Sequence, residues 1–288
     1  MTGRPILRSS LTFRWLGAAG IELTLDGCTL LIDPYLTRLS MREVFFGTAV
    51  CDTATVFKHI KKADAILVTH CHFDHCMDVH AIAGQFSCPV FAGRNALILL
   101  EKQGVPVSSL QFVRPGDSIS YGPFHIEIEK SSHRPLAFMR EKGLDADVPA
   151  PHRALDYIHD GMLAFRITAD ETVFLTDPGS APSNLPADVL FLNTLQQRRV
   201  IDTILSTVKS STVLPIHWDN SFRKIPPSLS TPLWQFFPMN SYSIKKLKKK
   251  VTSDASRRIF FVPELLRHCP VEKFVVQDTR SRKREKAP

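Results

Sequence analysis

The stretch Thr69-His70-Cys71-His72-Phe73-Asp74-His75 decides how this chain is read. Four side chains that bind a borderline metal, His70, His72, Asp74 and His75, fall within six residues, directly after the apolar run Ala65-Ile66-Leu67-Val68. A short uninterrupted apolar run of this kind reads as a strand buried on both faces. Imidazoles and a carboxylate crowded at the end of such a strand repel one another or need partners unless a cation neutralises them, so the cluster points to a metal site. One tight loop cannot wrap all four ligands around a single tetrahedral ion. Two ions sharing the cluster is the expected arrangement.

Working outward, the flanking sequence supplies short β-like runs. TFRWLG, IELTLD and CTLLID, the last ending at Asp33, precede the cluster, and Asp26-Gly27 is a hairpin signal between two of them. A loop-like stretch then runs to Thr55. Beyond the cluster the pattern predicts a short helix from about Asp78 to Gln85, a strand at PVFAG, and a helix at NALILLEKQ stopped by Gly104. FHIEIEKSSH alternates as a half-buried strand, GMLAFRIT and ETVFLTD read as a hairpin across Ala169-Asp170, VLFLN and STVLPIHW as further strands, and RVIDTILSTVK as a helix. Three of these runs end at a metal-binding side chain: His133, Asp177 and His217. The Pro- and charge-rich segment from Pro135 to Asp160 lacks periodicity, which is the signature of a functional loop or lid. Within it Leu136, Phe138, Met139 and Leu144 would line a substrate entrance, and His152, Tyr157 and His159 would border the pocket. Asp219, two residues after His217, would contact substrate or orient a ligand.

Composition bounds the class. The chain has 288 residues, 44% of them hydrophobic and 22% charged, which suits a globular protein with a sizeable core and argues against disorder. The six cysteines are too sparse for a disulfide scaffold and form no CxxC pair, so they read as reduced thiols, with Cys71 and Cys76 as small side chains packed beside the site. No run approaches 18 uncharged apolar residues and Met1–Ser10 has no signal-type apolar core, so the expectation is a cytoplasmic protein with no transmembrane segment. The net charge of +8 is concentrated in Lys245, Lys246, Lys248, Lys249 and Lys250 and in Arg280, Arg282, Lys283, Arg284 and Lys286, leaving the body of the chain near neutrality. The first run is read as a solvated helix face and the second as a basic tail. The expected organisation is a single domain over 1–278 followed by a flexible basic tail over 279–288.

The pattern His70-x-His72-x-Asp74-His75 resembles the H-x-H-x-D-H signature of the metallo-β-lactamase superfamily. The later S-S-H at His133, F-L-T-D-P-G at Asp177 and L-P-I-H-W at His217 follow in that family's order, and L-L-I-D-P at Asp33 is similar to its first motif. The resemblance implies an α+β fold, an αββα four-layer sandwich of two mixed sheets flanked by helices. It also implies that His70, His72 and His133 hold one ion, that Asp74, His75 and His217 hold the other, that Asp177 bridges, and that Asp33 supports the metal-binding loop from behind. The cofactor implied is a pair of divalent ions, zinc first and manganese or iron as alternatives. The activity implied is attack by a dinuclear-metal-bound hydroxide on an ester, lactone or phosphodiester of a small molecule or lipid, with Asp74 also placed to hold or relay a proton. G-A-A-G-I-E-L, I-D-P-Y-L and I-H-W are most similar to the branch that contains ascorbate-6-phosphate lactonase and N-acylphosphatidylethanolamine phospholipase D. Here Cys76-Met77-Asp78 stands where the family often has glycine.

Three alternatives remain open at this stage. A nuclease of the same superfamily would use the same ions on RNA or DNA and employ the basic runs. A metal-dependent oxidoreductase would carry iron at the same ligands, because ligand type alone does not fix the metal. A binding protein would keep the fold without turnover. A homo-oligomer is compatible with any of them.

Overall fold

The computed structural model describes residues 11–132, 141–179, 185–219, 222, 241–253 and 258–275. His133, Leu136, Phe138, Met139 and the tail at 279–288 therefore lie outside the described residues.

Two mixed sheets form, each of seven strands among the described residues. In the first, β1 (Thr12–Gly17), β2 (Gly20–Leu25) and β3 (Cys28–Ile32) run antiparallel, and β4 (Ala65–Leu67), β5 (Val90–Ala92) and β6 (Leu110–Phe112) continue parallel from β3. In the second, β7 (Ser118–Tyr121), β8 (Phe124–Ser131), β9 (Met162–Ala169) and β10 (Thr172–Leu175) run antiparallel. There β11 (Pro186–Asn193), β12 (Lys209–Ile216) and β13 (Ile259–Phe260) continue in parallel from β10, while β14 (His268–Pro270) returns to the first sheet beside β1. Seven α-helices lie among the described residues: α1 (Met41–Phe46), α2 (Thr53–His59), α3 (Phe73–Cys76), α4 (Val79–Phe86), α5 (Arg94–Lys102), α6 (Arg198–Thr207) and α7 (Ile244–Thr252).

The alternation of side chains along each strand explains the layering, because successive residues face opposite sides of a sheet. On β3, Leu30 and Ile32 pack between the sheets while Leu31 faces the helices; on β4, Ala65 and Leu67 face inward and Ile66 outward. The second sheet repeats the pattern, with Val189, Phe191 and Leu214 turned inward and Leu190, Leu192 and Val213 turned toward α6 and α7. Three apolar layers result, one between the sheets and one under each set of helices. The architecture is the expected α+β sandwich in four layers, helices, sheet, sheet, helices. Phe13 stacks on Phe191 and Phe191 on Phe174, at 5.5 and 5.8 Å between ring centroids, joining the two sheets.

Local differences from the sequence reading have physical reasons. The stretch before Thr55 is not all loop. Ser40 caps α1 with a reciprocal box, its hydroxyl accepting from the Glu43 N–H while the Glu43 carboxylate accepts from the Ser40 N–H, and Asp52 caps α2 through Thr55. The hairpin turn between β9 and β10 is Asp170-Glu171, one residue later than expected. The lysine-rich run forms α7 as anticipated: Leu247 and Val251 are buried and the lysines lie on the other face, Lys250 pairing with Asp202 at 3.0 Å. Among the described residues, no helix is long and apolar enough to cross a membrane.

Candidate metal centre

One edge of the sandwich collects the ends of β3, β4, β8, β10 and β12 together with the turn between β1 and β2. Open α/β sheets bind ligands just beyond the carboxyl ends of parallel strands, where loops diverge and backbone groups are unpaired. Two backbone contacts sew the sheets together here: Leu163 N–H to Thr69 O at 2.9 Å, and His217 N–H to Ala18 O at 2.8 Å. Four non-glycine residues around this edge, Ala18, Asp33, Arg38 and His217, adopt positive φ between 45° and 58°. Such strain persists only where surroundings over-determine it, and it gathers at functional sites.

The geometry begins at Asp33, buried at the end of β3. Its Oδ1 accepts the Thr69 N–H at 2.7 Å and its Oδ2 accepts the Thr69 hydroxyl at 2.5 Å. The same Oδ2 lies 2.8 Å from Nδ1 of His75. A carboxylate can only accept, so His75 turns an Nδ1–H to Asp33 and leaves Nε2 facing Asp74. Thr69 Oγ1, its proton given to Asp33, lies 2.9 Å from Nδ1 of His70 and fixes that ring in the same way. One carboxylate thus sets the tautomer of two imidazoles.

Ligand atoms of Asp74, His75 and His217 lie within 4.8 Å of one another. His217 Nε2 is 3.2 Å from Asp74 Oδ2, and His75 Nε2 is 3.9 Å from Asp74 Oδ1. Beside them His70 Nε2 and His72 Nδ1 are 3.0 Å apart, with the His70 and His75 ring centroids separated by 4.0 Å. Asp177 is buried just after β10, its Oδ2 accepting from Gln196 Nε2 at 3.1 Å and its Oδ1 from the Gly179 N–H at 3.2 Å. His133 lies outside the described residues.

The electrostatics of this cluster suit a cation. Burial works against ionisation of Asp74, but the imidazoles of His75, His217 and His72 outweigh it and hold the carboxyl well below the usual range. Asp177 behaves oppositely: burial pushes it up to about 6, against the lowering effect of Gln196, Gly179 and His217. That is the signature of a buried carboxylate lacking a counter-charge. His217 Nδ1 is a buried nitrogen with no hydrogen-bond partner. An orphaned imidazole nitrogen, an under-neutralised carboxylate and three converging ligand atoms fit a divalent ion chemically.

The remaining expected site residues separate. His159 joins the cluster: it is buried, and its ring meets His72 edge to face at 4.6 Å and His70 at 5.8 Å. Asn95 on α5 anchors the segment that delivers it, donating to the carbonyls of Lys142 and Ile158, both at 2.7 Å, and accepting from the Leu144 N–H. Tyr157 does not line the pocket. It is buried in the layer between the first sheet and its helices, with its hydroxyl accepting from Gln103. His152 is exposed and contributes its backbone, its carbonyl accepting from Ala49 and its N–H donating to Asp156. Asp219 is committed to Arg38 and Ala18, and Leu144 packs on the first core layer. Cys71 and Cys76 are buried in that layer too; burial and a contact with Cys76 raise the Cys71 thiol, which leaves it a poor ligand. All six cysteines are free.

Sequence reasoning passed over three residues. Thr69, which links Asp33 to His70, carries no motif signal of its own. Gln196, which orients Asp177, lies in a polar turn without a motif. Asp78, wholly buried, accepts from the N–H groups of Leu36 and Thr37 and from the Thr37 hydroxyl, tying the loop after β3 to the histidine-rich segment after β4.

With the geometry in place, the comparisons assign the lineage. The family described as the metallo-beta-lactamase superfamily matches residues 21–170, just over half of the chain. The chain belongs to the metallo-beta-lactamase superfamily. Within it, the chain is 34% identical over 119 residues to a UPF0173 metal-dependent hydrolase of Ruegeria sp., and that match spans 47% of the relative's length. It is 24% identical over 214 residues to a UPF0173 metal-dependent hydrolase of Exiguobacterium sp., covering 73% of this chain and 86% of that one. Among solved structures it is similar to Igni18, a metallo hydrolase from Ignicoccus hospitalis, with a TM-score of 0.57 at 16% identity over 90% of this chain and 97% of that one. The relatives are named as metal-dependent hydrolases, and the fold is shared along nearly the whole of this chain.

Proposed function

We propose that this chain is a hydrolase using two divalent ions, zinc in the first place, with His70, His72 and His133 around one, Asp74, His75 and His217 around the other, and Asp177 between them. The observation that carries the reading is the convergence of Asp74, His75 and His217 within 4.8 Å, with Asp33 fixing His75 as an Nε2 ligand. When bound, such ions supply a nucleophile that is ionised near neutral pH and a counter-charge for the developing oxyanion.

The chain's own residues do the rest. Asp33 and Thr69 hold the rings of His75 and His70, so no reorganisation is needed at the moment of reaction. Asp74 stays ionised across the physiological range and is placed to receive a proton. His159 accepts the Gly161 N–H at Nδ1 at 3.3 Å, and burial lowers its pKa, so it is neutral with its proton on Nε2. A ring of that tautomer donates a hydrogen bond and does not ligate, which suits it to hold a carbonyl or phosphoryl oxygen beside His72. The substrate class this favours is an ester, lactone or phosphodiester of a small molecule or lipid.

The test is elemental analysis of protein purified without added metal, together with turnover on a panel of lactones, carboxylic esters, phosphodiesters and single-stranded nucleic acid. About two ions per chain with turnover on a small ester, lactone or phosphodiester supports the reading. A chain that takes up no zinc, manganese or iron on reconstitution overturns it, and activity confined to nucleic acid replaces the substrate class with that of a nuclease.

A further inference from the structure

His217 sits at φ 58°, in the left-handed region that non-glycine residues enter infrequently and at a cost in strain. Something must hold it, and the structure shows what does. Its N–H donates to the Ala18 carbonyl at 2.8 Å, and that carbonyl also accepts from Trp15 Nε1 at 3.0 Å. The next residue, Trp218, stacks on Trp15 with 5.1 Å between centroids and 21° between planes. The one after it, Asp219, accepts the Ala18 N–H at Oδ1 at 3.0 Å and the Arg38 guanidinium at Oδ2 at 2.5 Å. Three consecutive residues are therefore each tied to β1 or to the short turn that follows it.

Arg38 is the unusual member. It is 1% exposed, has φ 52°, and runs against Gly17 so closely that a Cβ there would stand 1.7 Å from its Nη2. A buried ion pair contributes little net stability, because the cost of desolvating both charges offsets their attraction. What it does supply is a single geometry. Asp219 lies two residues from His217 and Arg38 five residues from Asp33, so the pair joins the loop that carries one ligand to the loop behind the other.

We infer that Arg38 and Asp219 are positioning residues that set the backbone of His217, and so the affinity of the ion held by Asp74, His75 and His217. This rests on the two-ion reading above. Each acts through His217, because Asp219 is committed to Ala18 and Arg38.

The experiment measures zinc binding to metal-free protein by competition with a chromophoric chelator, with the melting temperature of the same metal-free samples as a second readout. The variants are Asp219→Asn, Arg38→Lys and Arg38→Met. The control is Arg14→Met with Glu22→Leu, which removes another buried ion pair on β1 and β2, one that does not involve the turn. Asp219→Asn and Arg38→Met are expected to weaken one zinc by about ten- to a hundredfold and leave the other unchanged. Arg38→Lys, which keeps the charge, is expected to recover part of that loss. The control is expected to shift the melting temperature without moving either zinc affinity. Both zinc affinities at wild-type strength in Asp219→Asn and Arg38→Met, or an equal loss in the control, overturn the inference while the two-ion reading stands. A wild-type chain that binds no zinc brings down both.

Discussion

Asp33 Oδ2 lies 2.8 Å from His75 Nδ1, and through the Thr69 hydroxyl the same oxygen reaches His70. One carboxylate thus governs two rings of the cluster, one directly and one through Thr69. Asp33→Asn is the sharp test, because asparagine tolerates the 45° φ of this position and keeps an oxygen for the Thr69 N–H. Its amide cannot reproduce a carboxylate accepting from both His75 and Thr69. Zinc affinity is expected to fall about ten- to a hundredfold with the far-ultraviolet circular dichroism spectrum unchanged. Zinc bound at wild-type strength would show that the tautomers are set elsewhere.

Asp177 gives a pH dependence of definite sign in the metal-free protein. Burial pushes its carboxyl up to about 6 in the fold, against 3.8 for the free side chain. Between those values the folded chain holds a proton that the unfolded chain has released, so Asp177 makes metal-free stability fall as pH rises from about 4 to about 6 and level off above. A shift of about two units corresponds to about 3 kcal/mol. Asp177→Asn mimics the protonated acid and should be the more stable metal-free protein at pH 7, with the advantage vanishing toward pH 4, while losing metal. Urea unfolding of the two metal-free proteins at pH 4, 5, 6 and 7 measures this. A wild type that gains on the variant as pH rises contradicts the sign.

The convergence of Asp74, His75 and His217 was legible in advance because candidate metal ligands leave a dense local mark: four of them fall within six residues, and Asp177 and His217 each follow an apolar run. The layers were legible for a similar reason, since Leu30, Leu31 and Ile32 lie in a run that only a two-faced strand explains. The capping pairs Ser40 with Glu43 and Asp52 with Thr55 were written in the sequence too, but they stand before short helices with little apolar periodicity, and the loop reading won. What was not legible is long-range: Arg38 meets Asp219 across 181 positions and Asn95 meets Ile158 across 63. Tyr157 illustrates the converse, a polar residue in a functional-looking segment whose hydroxyl is satisfied by Gln103 in the core.

Asn95 carries a prediction about the segment over 141–160. It is fully buried, and its side chain makes three hydrogen bonds to backbone groups on both arms of that segment. Asn95→Ala strands two carbonyls and one N–H, each costing about 1–3 kcal/mol if left buried and unpaired. The expected loss is about 3 kcal/mol of stability, faster hydrogen exchange at Leu144, and a raised KM as His159 loses its placement over His72. Unaltered exchange at Leu144 would mean that the other contacts of the segment suffice.

Gly17 and Gly27 form a matched pair that separates backbone strain from collision. Both have positive φ, 92° and 78°, so alanine at either site incurs the left-handed penalty of about 1–2 kcal/mol. At Gly27 an added Cβ meets nothing within 4 Å, and the cost should stop there. At Gly17 it meets Arg38 Nη2 at 1.7 Å, and the guanidinium cannot swing away without leaving Asp219. Displacing it adds about 1–3 kcal/mol of overpacking and loosens His217 as well. Gly17→Ala should therefore lower both the melting temperature and the zinc affinity, whereas Gly27→Ala lowers the melting temperature slightly and leaves zinc binding alone. Equal effects of the two substitutions on zinc would place the sensitivity in the backbone conformation of β1 and its neighbours, and not in the contact between Gly17 and Arg38.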